Sequence, residues 1–195
     1  MSSTLPTHYV SYADIHHSVK LLTEEIGLWR ELPSLIVAIG TGGLVPGRIL
    51  KSFLRKPLLF VTVNLYDENT EQRKETHTKI QWINDEKSQI EGQHILIVDE
   101  VDDTRQTLAY VTNELSRASS TSISWLVIYN KNKLKRASVP KIVKNYFVAF
   151  ETDDIWIKFP WDALDLEEHE KLAKELDSIR LKRKVDKHLI MEREE

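Results

Sequence analysis

Residues 95–107 read Ile95-Leu96-Ile97-Val98-Asp99-Glu100-Val101-Asp102-Asp103-Thr104-Arg105-Gln106-Thr107. Four consecutive apolar residues mark a strand buried on both faces, the pattern of a central strand in a sheet covered by helices. Four carboxylates follow within five positions, and a helix is predicted over Gln106–Arg117. In open α/β sheets the carboxyl ends of the strands are where ligands bind. Like charges packed into one turn disfavour one another's ionisation, so such a site is high in free energy when empty. Polyhydroxyl groups, a metal ion or a proton to be moved would each give the cluster a use. Backbone N–H groups and the hydroxyls of Thr104 and Thr107 at the helix start suit a phosphate. The plain alternative is an acidic surface turn capped by Thr104.

Working outward, strands and helices alternate. Leu35–Ile39 is a short apolar run that enters Gly40-Thr41-Gly42-Gly43, and a helix is expected over Val45–Leu54. Leu58–Leu65, Ser122–Tyr129, Tyr146–Phe150 and Ile155–Ile157 read as further strands. Ile15, Val19, Leu22, Ile26 and Trp29 recur at helical spacing across 12–29. A second helical pattern starts near Ala163 and carries Leu172, Leu176 and Ile179, then Leu181, Val185 and Leu189 on a drifting face. The expected fold is α/β, a mainly parallel sheet flanked by helices. Residues 66–79, YDENTEQRKETHTK, carry no apolar period and read as a functional lid or a disordered loop.

Composition narrows the function classes. A length of 195 residues suits one domain. The balance of 27 basic against 30 acidic residues, net −3, supplies no global field for nucleic acid or an anionic membrane. With no cysteine, disulfides, thiolate nucleophiles, iron–sulfur clusters and Cys-based zinc sites are excluded. No apolar run approaches the ~20 residues of a spanning helix, and the N-terminal segment has no signal-peptide core. The expectation is a cytoplasmic protein without membrane or nucleic-acid partners. The basic stretch Arg180–Lys187 reads as a solvated helix face and leaves nuclear entry open. The seven histidines lack metal-site spacing, and His16, His17, His77, His94 and His169 read as surface residues.

The 95–107 stretch resembles the PRPP-binding motif of type I phosphoribosyltransferases. The resemblance implies that Asp99 and Glu100 hold the ribose hydroxyls. It implies that Asp103 contacts purine N7 or acts as general acid/base, and that Asp103, Thr104, Arg105, Gln106 and Thr107 grip the 5′-phosphate. Most members have Gly where this chain has Arg105, a residue whose Cβ restricts the loop and whose guanidinium offers a phosphate contact. IGTGGLVPGRIL resembles the family's pyrophosphate loop. That implies ligand contacts by Thr41, Gly42 and Gly43 and a strained peptide bond at Gly40-Thr41 or Thr41-Gly42. Tyr66 and Asp67 match the start of the family's mobile lid, with Leu65 where a serine is usual.

Asp153-Asp154-Ile155-Trp156-Ile157-Lys158-Phe159-Pro160-Trp161-Asp162 resembles the purine hood of bacterial xanthine-guanine and fungal hypoxanthine/xanthine-guanine members. By composition alone Trp156 and Trp161 read as core residues. The resemblance instead implies that Trp156 stacks on the base, Ile157 meets its edge through the backbone, and Asp162 lies near magnesium. The implied metal set is Asp99, Glu100 and Asp162, the implied cofactor Mg²⁺. Lys131 matches the lysine that donates to the purine 6-oxo group; a 6-amino group would face it donor against donor. Lys133, Lys135 and Arg136 lie close by in sequence. The matched region spans about residues 9–175.

Taken together, the resemblance implies a purine-salvage enzyme, most similar to the fungal hypoxanthine/xanthine-guanine group. It would move a phosphoribosyl group from PRPP to N9 of hypoxanthine, guanine or xanthine, giving IMP, GMP or XMP. The expected partners are PRPP, a purine base and a second copy of the chain as a homodimer. One domain is expected, with a core at about 30–150 and a hood from about 1–29 and 151–195. The rival is a non-catalytic PRPP- or nucleotide-sensing protein on the same fold. A pyrimidine or adenine transferase is disfavoured by Lys131 and the hood.

Overall fold

Along the strand Leu35–Gly40, alternate side chains face two separate cores: Ile36 enters one, with Ala38 on the same side against Gly47, and Leu35, Val37 and Ile39 enter the other. That alternation requires helices on both faces of the sheet. The structure is a computed structural model that describes residues 6–27, 32–66, 73–118, 120 and 122–175. In chain order its elements are β1 (Thr7–Tyr9), α1 (Tyr12–Ile26), β2 (Leu35–Gly40), α2 (Leu44–Leu54), β3 (Leu58–Tyr66), β4 (Arg73–Gln81), α3 (Glu86–Ile90), β5 (His94–Asp102), α4 (Gln106–Ser116), β6 (Ser122–Lys131), β7 (Val143–Thr152), β8 (Trp156–Lys158), a 3₁₀ turn (Pro160–Asp162) and α5 (Leu166–Glu175). Helices α1 and α2 share a core with Ile36, Leu96, Val98 and Leu126. Helices α3 and α4 share the opposite core with Val37, Ile97, Trp125 and Val127. Among the described residues no helix is long and apolar enough to cross a membrane.

The main sheet has the order β4-β3-β2-β5-β6-β7, parallel except for the β3–β4 pair. From β2 the chain moves outward to β3 and β4, then returns to place β5 on the other side of β2. The crevice at this switch of direction opens between the carboxyl ends of β2 and β5. Those ends carry Gly40-Thr41-Gly42-Gly43 and Asp99-Glu100 respectively.

The expected mainly parallel α/β fold is observed, with three revisions to the elements. First, β5 extends beyond Val98 to Asp102, because ladder pairing with β6 continues from Asp99–Val127 to Asp102–Asn130. Asp99, Glu100 and Asp102 therefore sit on a strand and not on a turn. Second, residues 73–81, within or next to the presumed lid, form β4. A strand at the sheet edge pairs on one side only and faces water, so a polar sequence can form it without an apolar period. Third, Thr104 does not cap α4; the cap position is Arg105, which makes no side-chain cap bond.

Helix α1 opens with a capping box: Ser11 Oγ accepts from Asp14 N–H at 3.0 Å while Ser11 N–H donates to Asp14 Oδ2 at 3.0 Å. Its apolar face packs on α2, β6 and β7. A separate two-stranded parallel sheet joins β1 to β8, from Thr7–Trp156 to Tyr9–Lys158. Phe159 and Trp161 stack with ring centroids 4.7 Å apart and tie this unit to the first core. Trp29, Leu176, Ile179 and the Arg180–Lys187 stretch lie outside the described residues.

Candidate active site

The site is built where β2 and β5 end. The Gly40–Thr41 peptide bond is cis, one of the two positions the resemblance pointed to. A Cβ built on Gly42 would lie 2.1 Å from the Glu100 carboxyl carbon, and one on Gly43 only 2.5 Å from the Val98 carbonyl oxygen. Bare glycine backbone is thus what lets the β2 loop press against the end of β5. Glu100 Oε2 is buried there without a hydrogen-bond partner.

Asp99 is buried beside it, with its Oδ1 accepting from the Glu100 N–H at 3.0 Å. Burial, then the neighbouring Glu100, pushes the Asp99 carboxyl well above its usual range. Two hard oxygen ligands so placed could hold a divalent cation together with oxygens of a substrate. Asp162 does not join them. It sits exposed in the 3₁₀ turn, and among the described residues no three His, Asp or Glu side chains gather to hold a metal.

Beyond Asp102 the chain turns through Asp103-Thr104-Arg105 into α4, and a helix N-terminus carries the positive end of the helix dipole. The cleft measures about 750 Å³ and is lined by Asp99, Glu100, Asp103, Thr104, Arg105 and Thr107 among others. Helix α4 is held in place by Trp125, whose Nε1–H donates to Thr112 Oγ1 at 2.7 Å in the core. Gln106 belongs to the same turn, its Oε1 accepting from the Thr104 hydroxyl at 3.3 Å. Arg105 lines the cleft and its Nε–H donates at 2.9 Å to Asp102 Oδ2. Its backbone is left-handed, at φ 68°.

Lys131 is mostly buried, with Nζ 3.3 Å from Asp103 Oδ1. Lys133 reaches the same oxygen at 2.8 Å, and both ammonium groups also face Asp154 Oδ1, at 3.7 and 2.9 Å. Burial alone would raise the Asp103 carboxyl, but hydrogen bonds and charge from Lys133 and Lys131 outweigh it and hold the group below its usual value. Asp103 is therefore ionised at neutral pH.

Trp156 is 57% exposed on β8, so it is not the core residue its composition suggested, whereas Trp161 is half-buried against the core. Ile157 packs its side chain toward the first core and pairs through its backbone with β1. Tyr66 ends β3, and Asp67 lies outside the described residues.

Several residues near the site were not singled out from sequence. Lys133 and Asp154 complete the Asp103 cluster. Asp102 is fully buried, and its direction on the strand has no sequence signal. His77 corrects the surface reading of the histidines: it stacks on Tyr110 with centroids 4.8 Å apart, and its Nε2 lies 3.3 Å from Thr107 Oγ1. Burial lowers its pKa below the usual value. His94 is half-buried and bonded to Ser122 Oγ at 2.7 Å, and His169 is buried and bonded to the Val10 carbonyl at 2.9 Å. Imidazole carries a donor and an acceptor and is easily satisfied inside a fold.

A family model for the phosphoribosyl transferase domain matches residues 11–168. Xanthine phosphoribosyltransferase 1 of Saccharomyces cerevisiae is 36% identical, over 85% of this chain and 94% of the relative. Hypoxanthine-guanine phosphoribosyltransferase of Schizosaccharomyces pombe is 37% identical, over 83% and 92%. A solved structure of a hypothetical protein from Neisseria gonorrhoeae with bound ppGpp superposes with a TM-score of 0.81 at 35% identity, over 88% of this chain and 98% of that one.

Proposed function

The chain belongs to the phosphoribosyltransferase family, and from that premise we propose that it moves the 5-phosphoribosyl group of PRPP to N9 of a 6-oxopurine. The products are IMP, GMP or XMP and pyrophosphate. The observation that carries this reading is one cleft lined by Asp99, Glu100, Asp103, Thr104, Arg105, Thr107 and Lys133, in which Asp103 pairs with both Lys131 and Lys133.

Each residue has a task in that reaction. Asp99 and Glu100 accept hydrogen bonds from the ribose 2′- and 3′-hydroxyls, which gives the buried Glu100 Oε2 a partner and relieves the crowding of two neighbouring carboxyl groups. The N–H groups and hydroxyls of Thr104–Thr107 hold the 5′-phosphate at the N-terminus of α4. Thr41, Gly42 and Gly43 present backbone to the pyrophosphate. The ribose is thereby fixed at both ends while the bond from C1 to pyrophosphate breaks toward an oxocarbenium-like state. N9 of the base then bonds to C1, and its N7 proton passes to the ionised Asp103. Lys131 donates to the 6-oxo group, the Trp156 indole stacks on the ring, and Ile157 meets its edge through the backbone. Mg²⁺, held by Asp99 and Glu100 with substrate oxygens, would neutralise the pyrophosphate and make it a better leaving group. The β1–β8 sheet with α5 serves as the hood over the base.

A second reading, a nucleotide-sensing protein on the same fold, is favoured by one finding: the Neisseria neighbour is described with bound ppGpp. One assay separates the two. Purified protein is given Mg²⁺, PRPP and hypoxanthine, guanine, xanthine or adenine in turn, and nucleotide formation is followed. Turnover of 6-oxopurines but not adenine supports the transferase. Binding of PRPP or ppGpp with no turnover of any base supports the sensor.

A further inference from the structure

Asp102 is an acid at a position where its strand is otherwise lined by core. Its side chain is fully buried, yet it is not left alone. Oδ2 accepts from Arg105 Nε–H at 2.9 Å and from the Tyr146 hydroxyl at 2.7 Å. Oδ1 lies 3.4 Å from Lys135 Nζ, which also donates to the carbonyl oxygens of Asp102 at 2.7 Å and Asp103 at 3.1 Å. The Arg136 N–H donates to the Thr104 carbonyl at 3.0 Å. A buried carboxylate is costly unless it is paired and hydrogen-bonded, and here the partners converge from the loop after β6, from β7 and from the turn itself.

Arg105 shows what the carboxylate is for. Its φ of 68° and ψ of −4° are left-handed, a conformation glycine takes freely and a residue with a Cβ does not. The guanidinium lies over the Tyr146 ring, 5.7 Å from its centroid, and pairs with Asp102 three residues back. The side chain thus bends back under its own turn, and the turn closes over it.

We propose that Asp102 is the positioning residue of the phosphate loop: its buried carboxylate straps Arg105 into the left-handed conformation that turns the N–H groups of 104–107 toward the 5′-phosphate. Asp102 acts through Arg105 and touches no substrate. The inference rests on the reading that this loop binds a phosphate.

The test compares binding of GMP and of guanosine, by titration calorimetry, in wild type, D102N and the double variant D102N/R105G. The penalty for a Cβ in the left-handed region corresponds to about a 5- to 30-fold change in a population. D102N should weaken GMP by about that factor and guanosine much less. R105G added to D102N should restore much of the GMP affinity, since glycine needs no strap; a merely structural Asp102 would not be rescued this way. If D102N does not fold, R105A and R105G are compared with Asp102 intact, and R105A should bind GMP 5- to 30-fold more weakly. Unchanged GMP affinity in D102N, absence of rescue, or equal affinities of R105A and R105G would each overturn the proposal. Failure of the wild type itself to bind GMP would instead overturn the phosphate-loop reading.

Discussion

Consider Gly42→Ala. The added methyl would sit 2.1 Å from both Cδ and Oε2 of Glu100 and 2.3 Å from Oε1. Non-bonded carbon contacts settle near 3.5–4.0 Å, so the carboxyl group must retreat by roughly 1.5 Å. The obstacle is the far end of a flexible side chain, and Glu100 can rotate away without moving β5. Stability should therefore change by less than about 1 kcal/mol, in the range of substitutions that disturb no packing. Catalysis is less forgiving. A displacement of about 1 Å in a group that positions the reacting centre costs on the order of 100-fold, or about 2.7 kcal/mol at 1.36 kcal/mol per tenfold. The expected result is a fall of about 100-fold in kcat/KM for PRPP, with a melting curve close to wild type and little change in the affinity for free base. Steady-state kinetics with PRPP varied, beside a thermal melt, decide the matter. Wild-type kcat/KM with an unchanged melt would refute the placement of Glu100 on the ribose. A collapsed melt would show instead that the glycine is needed to build the loop.

Further expectations concern single groups. Lys131→Ala removes a hydrogen bond from a charged donor, worth about 1.5–3 kcal/mol, so KM for 6-oxopurines should rise roughly 10- to 100-fold while Lys133 keeps Asp103 ionised; an unaltered KM would mean that another residue reads the oxygen. Trp156→Ala should leave stability within about 0.5 kcal/mol, because the indole is 57% exposed, and should raise KM for the base several-fold for a stacking term of about 1 kcal/mol. Equal base KM values in the two proteins would remove Trp156 from the site. Asp99→Asn tests the raised carboxyl. A group whose folded pKa lies above its unfolded value of 3.8 contributes stability below that pH and loses it as pH rises toward the folded pKa. The empty wild-type protein should thus lose stability from about pH 4 upward more steeply than Asp99→Asn, and the variant should melt no lower at pH 7 while losing PRPP affinity. Parallel stability–pH curves would show that Asp99 is not destabilised in the empty site.

Much of the fold was legible because its central strands are apolar on both faces. Leu35–Ile39 and Ile95–Val98 read as buried strands, and each runs into residues whose types carry chemistry. The edge strand β4 was illegible, because an exposed edge imposes no apolar period. The two short strands of the hood were half legible: Ile155–Ile157 marked one, but its partner Thr7–Tyr9 lies about 150 positions earlier and pairs through backbone alone.

The candidate site divides along the same line. Local sequence determined the acidic strand end, the Thr104–Thr107 turn, the glycine loop and the lysine after β6, since these depend on neighbours within a few residues. Only the tertiary structure decided where four adjacent carboxylates point. A strand sends successive side chains to opposite faces, so Asp102 goes under the turn to Arg105, Tyr146 and Lys135. Asp103, just past the strand end, meets Lys131 and Lys133. The same holds for the partners of Asp103 and His77. Their partners come from distant elements, and packing of the whole chain brings them within reach.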